Sequence, residues 1–316
     1  SKYDSMTVGE MSSTTIDHCI KYTRPDRNEL SMTFNFHHLK VDYPGGDKWA
    51  VADFDFQQLK NILSTWQEEM YKGDGWNALF WCNHDQPRVV SRYGDDKKYH
   101  NESAKMLATS MHLMRGTPYI YQGEEFGMTN PGFVKLSDYR DVESLNIYKL
   151  KTEAGMNEKE VLEILRHKSR DNSRTPVQWN ADKHAGFTTN EPWIPVAANY
   201  KSINAEEALK SQDSIFYHYK ELIRLRKEYD IITTGDFEVV LKDHPEIFAY
   251  IRNDNDEKLI VVNNYYGKES QFILPENIDI EGYKVKILLS NYKDSTDSIS
   301  EITLRPYESV VYHLTK

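Results

Sequence analysis

"WNALFWCNHDQPR", residues 76–88, carries an almost unbroken apolar run into a histidine and an aspartate before Pro87 interrupts regular structure. A run without polar alternation reads as a strand over 77–83 that is buried on both faces, as in a parallel sheet covered by helices. Parallel α/β architectures project functional side chains from the carboxyl ends of their strands, where the connecting loops converge. His84 and Asp85, placed there, are candidate site residues.

The flanking sequence supports this. "MTVGEM" (6–11) and "LSMTFNF" (30–36) read as preceding strands and "PYIYQG" (118–123) as a following one. Helices are predicted between them. The first spans about 13–22, with a Ser/Thr entry suited to an N-cap. The second, 55–72, places Phe56, Leu59, Leu63 and Trp66 at helical spacing, and the third covers 102–115. Such repetition predicts an α/β unit. After Gly123 the rhythm breaks, and 129–212 forms a long excursion rich in Asp, Asn, Arg, Thr and Trp with one helical piece near 158–167. Excursions of that length are seldom idle. A last helix, 214–229, carries Ile215, Tyr219, Leu222, Ile223 and Leu225. From 232 onward "FEVVL", "IFAYIR", "KLIVVNNY", "SQFIL", "YKVKILLS" and "ESVVYHL" predict an antiparallel β domain. The expected division is 1–231 and 232–316.

Composition narrows the partners. The 39 Lys+Arg against 49 Asp+Glu leave a net charge of −10, which predicts no nucleic-acid and no membrane partner. Cys19 and Cys82 lie far apart without metal spacing, as expected of buried thiols in a reducing compartment. No apolar run approaches the roughly 18 residues of a membrane span, and "SKYDSMTVGE" lacks a signal pattern, so the expected location is cytoplasmic. Neither a Ser-His-Asp arrangement, a phosphate-cradling glycine loop nor a His/Cys metal cluster is evident, and no cofactor or metal is expected.

Glu10 ends the first predicted strand as Asp85 ends the third. Two carboxylates on neighbouring strand tips suit acid/base chemistry on a neutral, oxygen-rich substrate, because one can stay protonated while the other is ionised. Glycoside hydrolysis needs such a pair most directly. The plainer alternative has Glu10 capping the next helix and Asp85 hydrogen-bonding loop backbone.

"TVGEM", "LFWCNHDQPR", "GTPYIYQGEEFGM", "DYRDVESLN" and "SRDNSRTPVQW", in this order, resemble the α-glucosidase branch of the α-amylase superfamily. The resemblance covers essentially the whole chain. It implies the C-terminal half of a (β/α)8 TIM barrel followed by a C-terminal antiparallel β-sandwich domain. Glu10 would be the general acid/base that protonates the leaving oxygen, and Asp85 the carboxylate that fixes sugar hydroxyls in the transition state. His84 would donate a hydrogen bond to the same sugar. Arg170 would line the entrance beside the scissile bond, with Arg174 a loop anchor. Glu124 and Glu125 would be structural, and Trp179, Phe187 and Trp193 either wall the entrance or simply pack. One departure matters: the aspartate nucleophile of such enzymes, in a stretch like "GFRxD", has no counterpart here. The chain opens at what looks like the fifth barrel strand. It is therefore expected to be a C-terminal portion whose partner is the N-terminal portion of the same enzyme, and to be inactive alone.

Substrate choice is expected to lie in "HHLKVDYPGGDKW", 37–49. Lys40 and Lys48, with His37 and His38, suit an anionic group such as a sugar phosphate. Asp42 and Asp47 cancel the two lysines in the formal count, and on charge alone a solvated loop is the simpler reading. The wording of the stretch, however, resembles the trehalose-6-phosphate hydrolases, whereas oligo-1,6-glucosidases usually carry a more acidic segment there. That implies phosphate contacts from Lys40 and Lys48. The rivals are hydrolysis of neutral isomalto-oligosaccharides and a barrel relative acting only as a binding module.

Overall fold

The computed structural model describes residues 5–316; the first four residues of the terminal stretch read above lie outside them. Strands β1 (Val8–Met11), β2 (Met32–Asn35), β3 (Asn77–Leu79) and β4 (Thr117–Pro118) form a parallel sheet in that order. Glu10 pairs with Phe34 and Phe34 with Ala78, so β1, β2 and β3 are in register and β2 separates the two tips expected to be neighbours. Pairing in β3 stops at Leu79, and Asp85 lies in the loop beyond it rather than on the strand. Phe80, Trp81 and Cys82 are still buried, because the chain continues under the helices after it leaves the ladder. Among the described residues β1 and β4 each have a single neighbour, leaving two open edges.

Helices α1 (Ile16–Thr23), α2 (Phe56–Lys72), α3 (Val89–Tyr93) and α4 (His100–His112) follow the strands. Thr15 and Asp55 cap α1 and α2 by accepting from the amides of His18 and Gln58. The spacing of Phe56, Leu59, Leu63, Trp66 and Met70 buries one face of α2. Helix α4 is buried continuously from Ser103 to His112, since the remaining elements close over it.

The excursion holds more helix than the sequence suggested. Besides α6 (Glu158–Lys168) it contains α5 (Val142–Glu153) and α7 (Ala205–Lys210), and it ends at α8 (Ile215–Glu228) and the short α9 (Ile231–Thr234). Next come β5 (Glu238–Val240), β6 (Ile247–Asp254), β7 (Glu257–Asn264), β8 (Ser270–Ile273), β9 (Lys284–Ser290), β10 (Glu301–Leu304) and β11 (Ser309–Thr315). The strand β10 is an addition to the predicted set. Five of these strands form an antiparallel sheet in the order β5-β6-β7-β11-β9, and β10-β8 pair separately.

The β7 sequence "LIVV" is apolar on both faces for a reason visible in the packing. Leu259 and Val261 join Leu107, Leu222 and Trp81 in the main core, while Ile260 and Val262 join Phe272, Leu304 and Tyr312 inside the sandwich. A period of two directs alternate residues into two cores. Arg252 locks the joint: its guanidinium donates to the carbonyls of Leu113, Ile232, Gly235 and Asp236. Lys60, buried on α2, likewise donates to Leu241, His244 and Ile247 carbonyls.

Candidate active site

The loop after β3 is shaped by its own polar residues. The Asn83 side chain accepts from the Asp85 amide at 2.8 Å, and the Gln86 amide returns to the Asn83 carbonyl at 3.2 Å, so the chain turns tightly with His84 and Asp85 outward. Behind the turn, Arg88 is fully buried and donates to the carbonyls of Gln122 (2.5 Å) and Ser173 (3.3 Å), while the Ser173 hydroxyl donates to the Gln86 carbonyl. Gly123 supplies the adjoining turn at φ +86°, where a Cβ would lie 2.3 Å from the Met128 sulfur.

Asp85 receives two arginines. Arg174 donates from Nη2 to its Oδ1 at 2.6 Å, from Nε to the His84 carbonyl at 2.8 Å, and from Nη1 to Asp141 at 3.2 Å. Arg170 Nη1 stands 3.5 Å from the same Asp85 oxygen, and His84 Nε2 3.6 Å. Partial burial pushes the Asp85 carboxyl up. The Arg174 hydrogen bond and the neighbouring charges of His84, Arg170 and Arg174 outweigh this and hold it below the usual carboxylate range. Asp85 is thus ionised and fixed, bonded to side chains and not to loop backbone. Arg174, read from sequence as a loop anchor, is the tighter of its two arginine partners. The four-residue interval between Arg170 and Arg174 is the available signal, but it falls in a stretch without helical or strand periodicity.

Glu10 is exposed near the end of β1, and the cap of α1 is Thr15, so Glu10 is not a helix cap. Lys40 reaches back toward this strand end, with Nζ 3.5 Å from the Ser12 carbonyl. Lys48 is differently placed: its ammonium meets Glu143 Oε2 at 2.8 Å, and Arg170 Nε meets the same oxygen at 2.7 Å. Glu143, unremarked in the sequence, therefore links the 37–49 loop to the arginine pair. The carboxyl of Glu143, raised by its burial, is lowered overall by the Lys48 and Arg170 hydrogen bonds and charges.

Two details of the 37–49 loop differ from expectation. Asp42 does not offset Lys40 or Lys48; it is buried against Arg92 (2.6 Å) and Lys168 (2.8 Å). His38 is buried against the Phe80 carbonyl, and desolvation pushes its pKa down to about 3, so it stays neutral and offers an anion nothing. Of the basic residues considered, Lys40 remains the least committed.

Glu124 is buried and accepts from the Tyr219 hydroxyl (2.8 Å) and the Cys82 thiol (3.2 Å), facing inward rather than toward the Asp85 loop. Glu125 is partly buried beside it. Trp179, Phe187 and Trp193 are all more than half exposed, Trp193 the most at 75%. Phe187 and Trp193 line a cavity of about 360 Å³ together with Gln122 and Arg174. No group of three or more His, Cys, Asp or Glu side chains suited to a metal occurs among the described residues.

The parallel sheet with its helices, followed by a β sandwich, agrees with the family comparisons. The model for the α-amylase catalytic domain matches residues 1–235, and that for the C-terminal domain of the α-amylase SusG matches 247–311. The chain belongs to the α-amylase family. It is 63% identical to the trehalose-6-phosphate hydrolase of Bacillus subtilis (strain 168) over all of its own length and 56% of the relative's. It is 50% identical to the oligo-1,6-glucosidase of Bacillus cereus over 99% of this chain and 56% of that one. The crystal structure of Bacillus licheniformis trehalose-6-phosphate hydrolase superimposes with a TM-score of 0.98 at 67% identity, covering all of this chain and 57% of that one. The chain thus spans a little over half the length of the relatives it matches.

Proposed function

We propose that the full-length protein is a retaining α-glycosidase that hydrolyses trehalose 6-phosphate to glucose and glucose 6-phosphate without a cofactor. The observation that carries this is the clamped, ionised Asp85 at the same end of the sheet as the exposed Glu10. The 63% identity to a trehalose-6-phosphate hydrolase supports the substrate. In this reading Glu10 gives its proton to the glycosidic oxygen as the bond to the anomeric carbon breaks. It then takes a proton from the water that releases the sugar. Asp85 binds sugar hydroxyls and stabilises the positive charge that develops on the ring. The nucleophile, about 5 Å from the acid in retaining enzymes, would come from an N-terminal portion of the enzyme. His84 and Arg170 would bind sugar, and Lys40 and Lys48 the phosphate. The same reading assigns 1–231 to the catalytic barrel and 232–316 to the β domain, and places the enzyme in the cytoplasm, consistent with two buried free thiols. No helix among the described residues is long and apolar enough to cross a membrane.

The test is kinetic. In the full-length enzyme, Lys40→Ala and Lys48→Ala should each raise KM for trehalose 6-phosphate about tenfold or more while sparing neutral glucosides. An unchanged KM refutes the phosphate assignment. A second reading, an oligo-1,6-glucosidase acting on neutral isomalto-oligosaccharides, is favoured by the pairing of Lys48 with Glu143, which leaves that lysine already neutralised. Equal turnover of phosphorylated and plain substrates would support it. Glu10→Gln and Asp85→Asn should each abolish hydrolysis of either substrate; retained activity would remove both residues from the chemistry.

A further inference from the structure

A cavity of about 710 Å³ opens between the 51–54 segment, the α3 region, the end of α6 and the turns around 265–266 and 307. Its size suits a small-molecule site. Glu10, His84, Asp85, Lys40 and Lys48 are not among its lining residues. Three half-buried aromatic side chains, Phe54, Tyr266 and Tyr307, form its walls, and the exposed Asp53 carboxylate stands at its mouth. Arg92 and Lys168 also line it and share the one Asp42 carboxylate, so the floor keeps one surplus positive charge, which Asp53 balances across the lining.

Tyr307 is held in an unusual way. The turn Arg305–Glu308 closes with the Glu308 amide on the Arg305 carbonyl at 3.0 Å, with Pro306 and Tyr307 central. Tyr307 adopts φ +54°, at the position where such a turn ordinarily takes glycine. A bulky residue there is strained, and strain of this kind persists where the side chain serves a purpose. Its ring rests against Tyr99, 5.8 Å between centroids, and over Gly267, where a Cβ would stand 3.4 Å from the ring. The aromatic face is thereby preset at the cavity wall. The hydroxyls of Tyr266 and Tyr307 and the carboxylate of Asp53 make no hydrogen bond within the described chain.

We propose that this cavity is an accessory binding site for a neutral saccharide of two or three hexose units. The C–H faces of sugar rings would stack on Tyr307, Tyr266 and Phe54, and their hydroxyls would donate to Asp53 and bond the two phenols. Arg92 and Lys168 against Asp42 and Asp53 give the lining no net charge, and Asp42 already holds both cations, which disfavours a sugar phosphate, so the ligand differs in charge from the substrate proposed above.

The test uses the full-length enzyme carrying Glu10→Gln to prevent turnover, titrated calorimetrically with maltotriose. A site is expected that disappears in Tyr307→Gly and weakens at least tenfold in Tyr266→Ala and Asp53→Asn, and that glucose 6-phosphate does not displace. Tyr307→Gly relaxes the turn, so circular dichroism should show the variant folded. Maltotriose binding that is absent, or unchanged in both tyrosine variants, would overturn the proposal. Displacement by glucose 6-phosphate would overturn the ligand class. If the enzyme acts on neutral oligosaccharides, maltotriose bound at the catalytic centre would persist in Tyr307→Gly and Tyr266→Ala, whereas binding in this cavity would not, which keeps the two separable.

Discussion

Two side chains show how burial and charge set reactivity in opposite directions. Asp85 is kept ionised chiefly by Arg174, so Arg174→Ala should let its pKa rise. If Asp85 must be charged for turnover, the acid limb of kcat/KM in the full-length enzyme should move to higher pH. Arg174→Lys should recover only part of the loss, since an ammonium cannot serve His84, Asp85 and Asp141 at once. A profile that keeps its acid limb in Arg174→Ala would show that Asp85 is not the titrating group. Glu124 is the converse case, with burial pushing its pKa up to about 7. Between roughly pH 4.5 and 7 the unfolded chain has released this proton while the folded chain retains it, so stability falls as pH rises, by about 3 kcal/mol over the window. Glu124→Gln should flatten that part of the dependence. Urea midpoints at pH 5 and pH 8 check it, and parallel slopes in the two proteins would refute it. None of this coupling was legible in sequence: Cys82 and Tyr219, the partners of Glu124, lie 42 and 95 residues from it.

At the scale of elements, the sequence revealed those with a regular apolar pattern. Helices α2 and α8 were evident because apolar residues recur at helical spacing along one face, and strands β6, β7 and β11 because their apolar runs are nearly unbroken. Helix α5 was not, because Val142 and Leu150 are strongly exposed while Ile147 and Tyr148 pack inward, which blurs any stripe. Four-residue β10 lies too close to turn residues for a pattern to develop. Strand β3 came out shorter than predicted because burial outlasts ladder pairing: Phe80 to Cys82 are core residues without being strand. The joint between elements was equally hidden. Arg252 would be taken for a surface residue in "AYIRND", yet it serves four carbonyls in the interior. Arg252→Met should cost about 3 kcal/mol or more, since those acceptors lose their donor in a dry environment. Thermal melting of the variant measures this, and a shift within error would show that water replaces the guanidinium.

For the whole molecule, the main core is shared between the helical layer and the antiparallel sheet: Leu107 and Leu222 meet Phe248, Val261 and Val311. The 316-residue chain should therefore unfold in one transition. All six tryptophans precede residue 232, so their fluorescence reports the α/β part, and amide exchange in β7 reports the sandwich; separate midpoints would contradict a shared core. The open edges of the parallel sheet lead to a further expectation, because unpaired strand edges recruit other chains. Alone at micromolar concentration, the chain should elute from size-exclusion columns as assemblies. A sharp monomeric peak would mean that β1 and β4 are adequately protected. The strap formed by Arg252 carries a last implication, for recombination between relatives. A sandwich grafted from another protein would need its own guanidinium at this point, and the recipient would need carbonyls at 113, 232, 235 and 236 turned to receive it. The β unit is consequently no interchangeable cassette, and functional chimeras should be confined to donors that preserve both halves of that fitting.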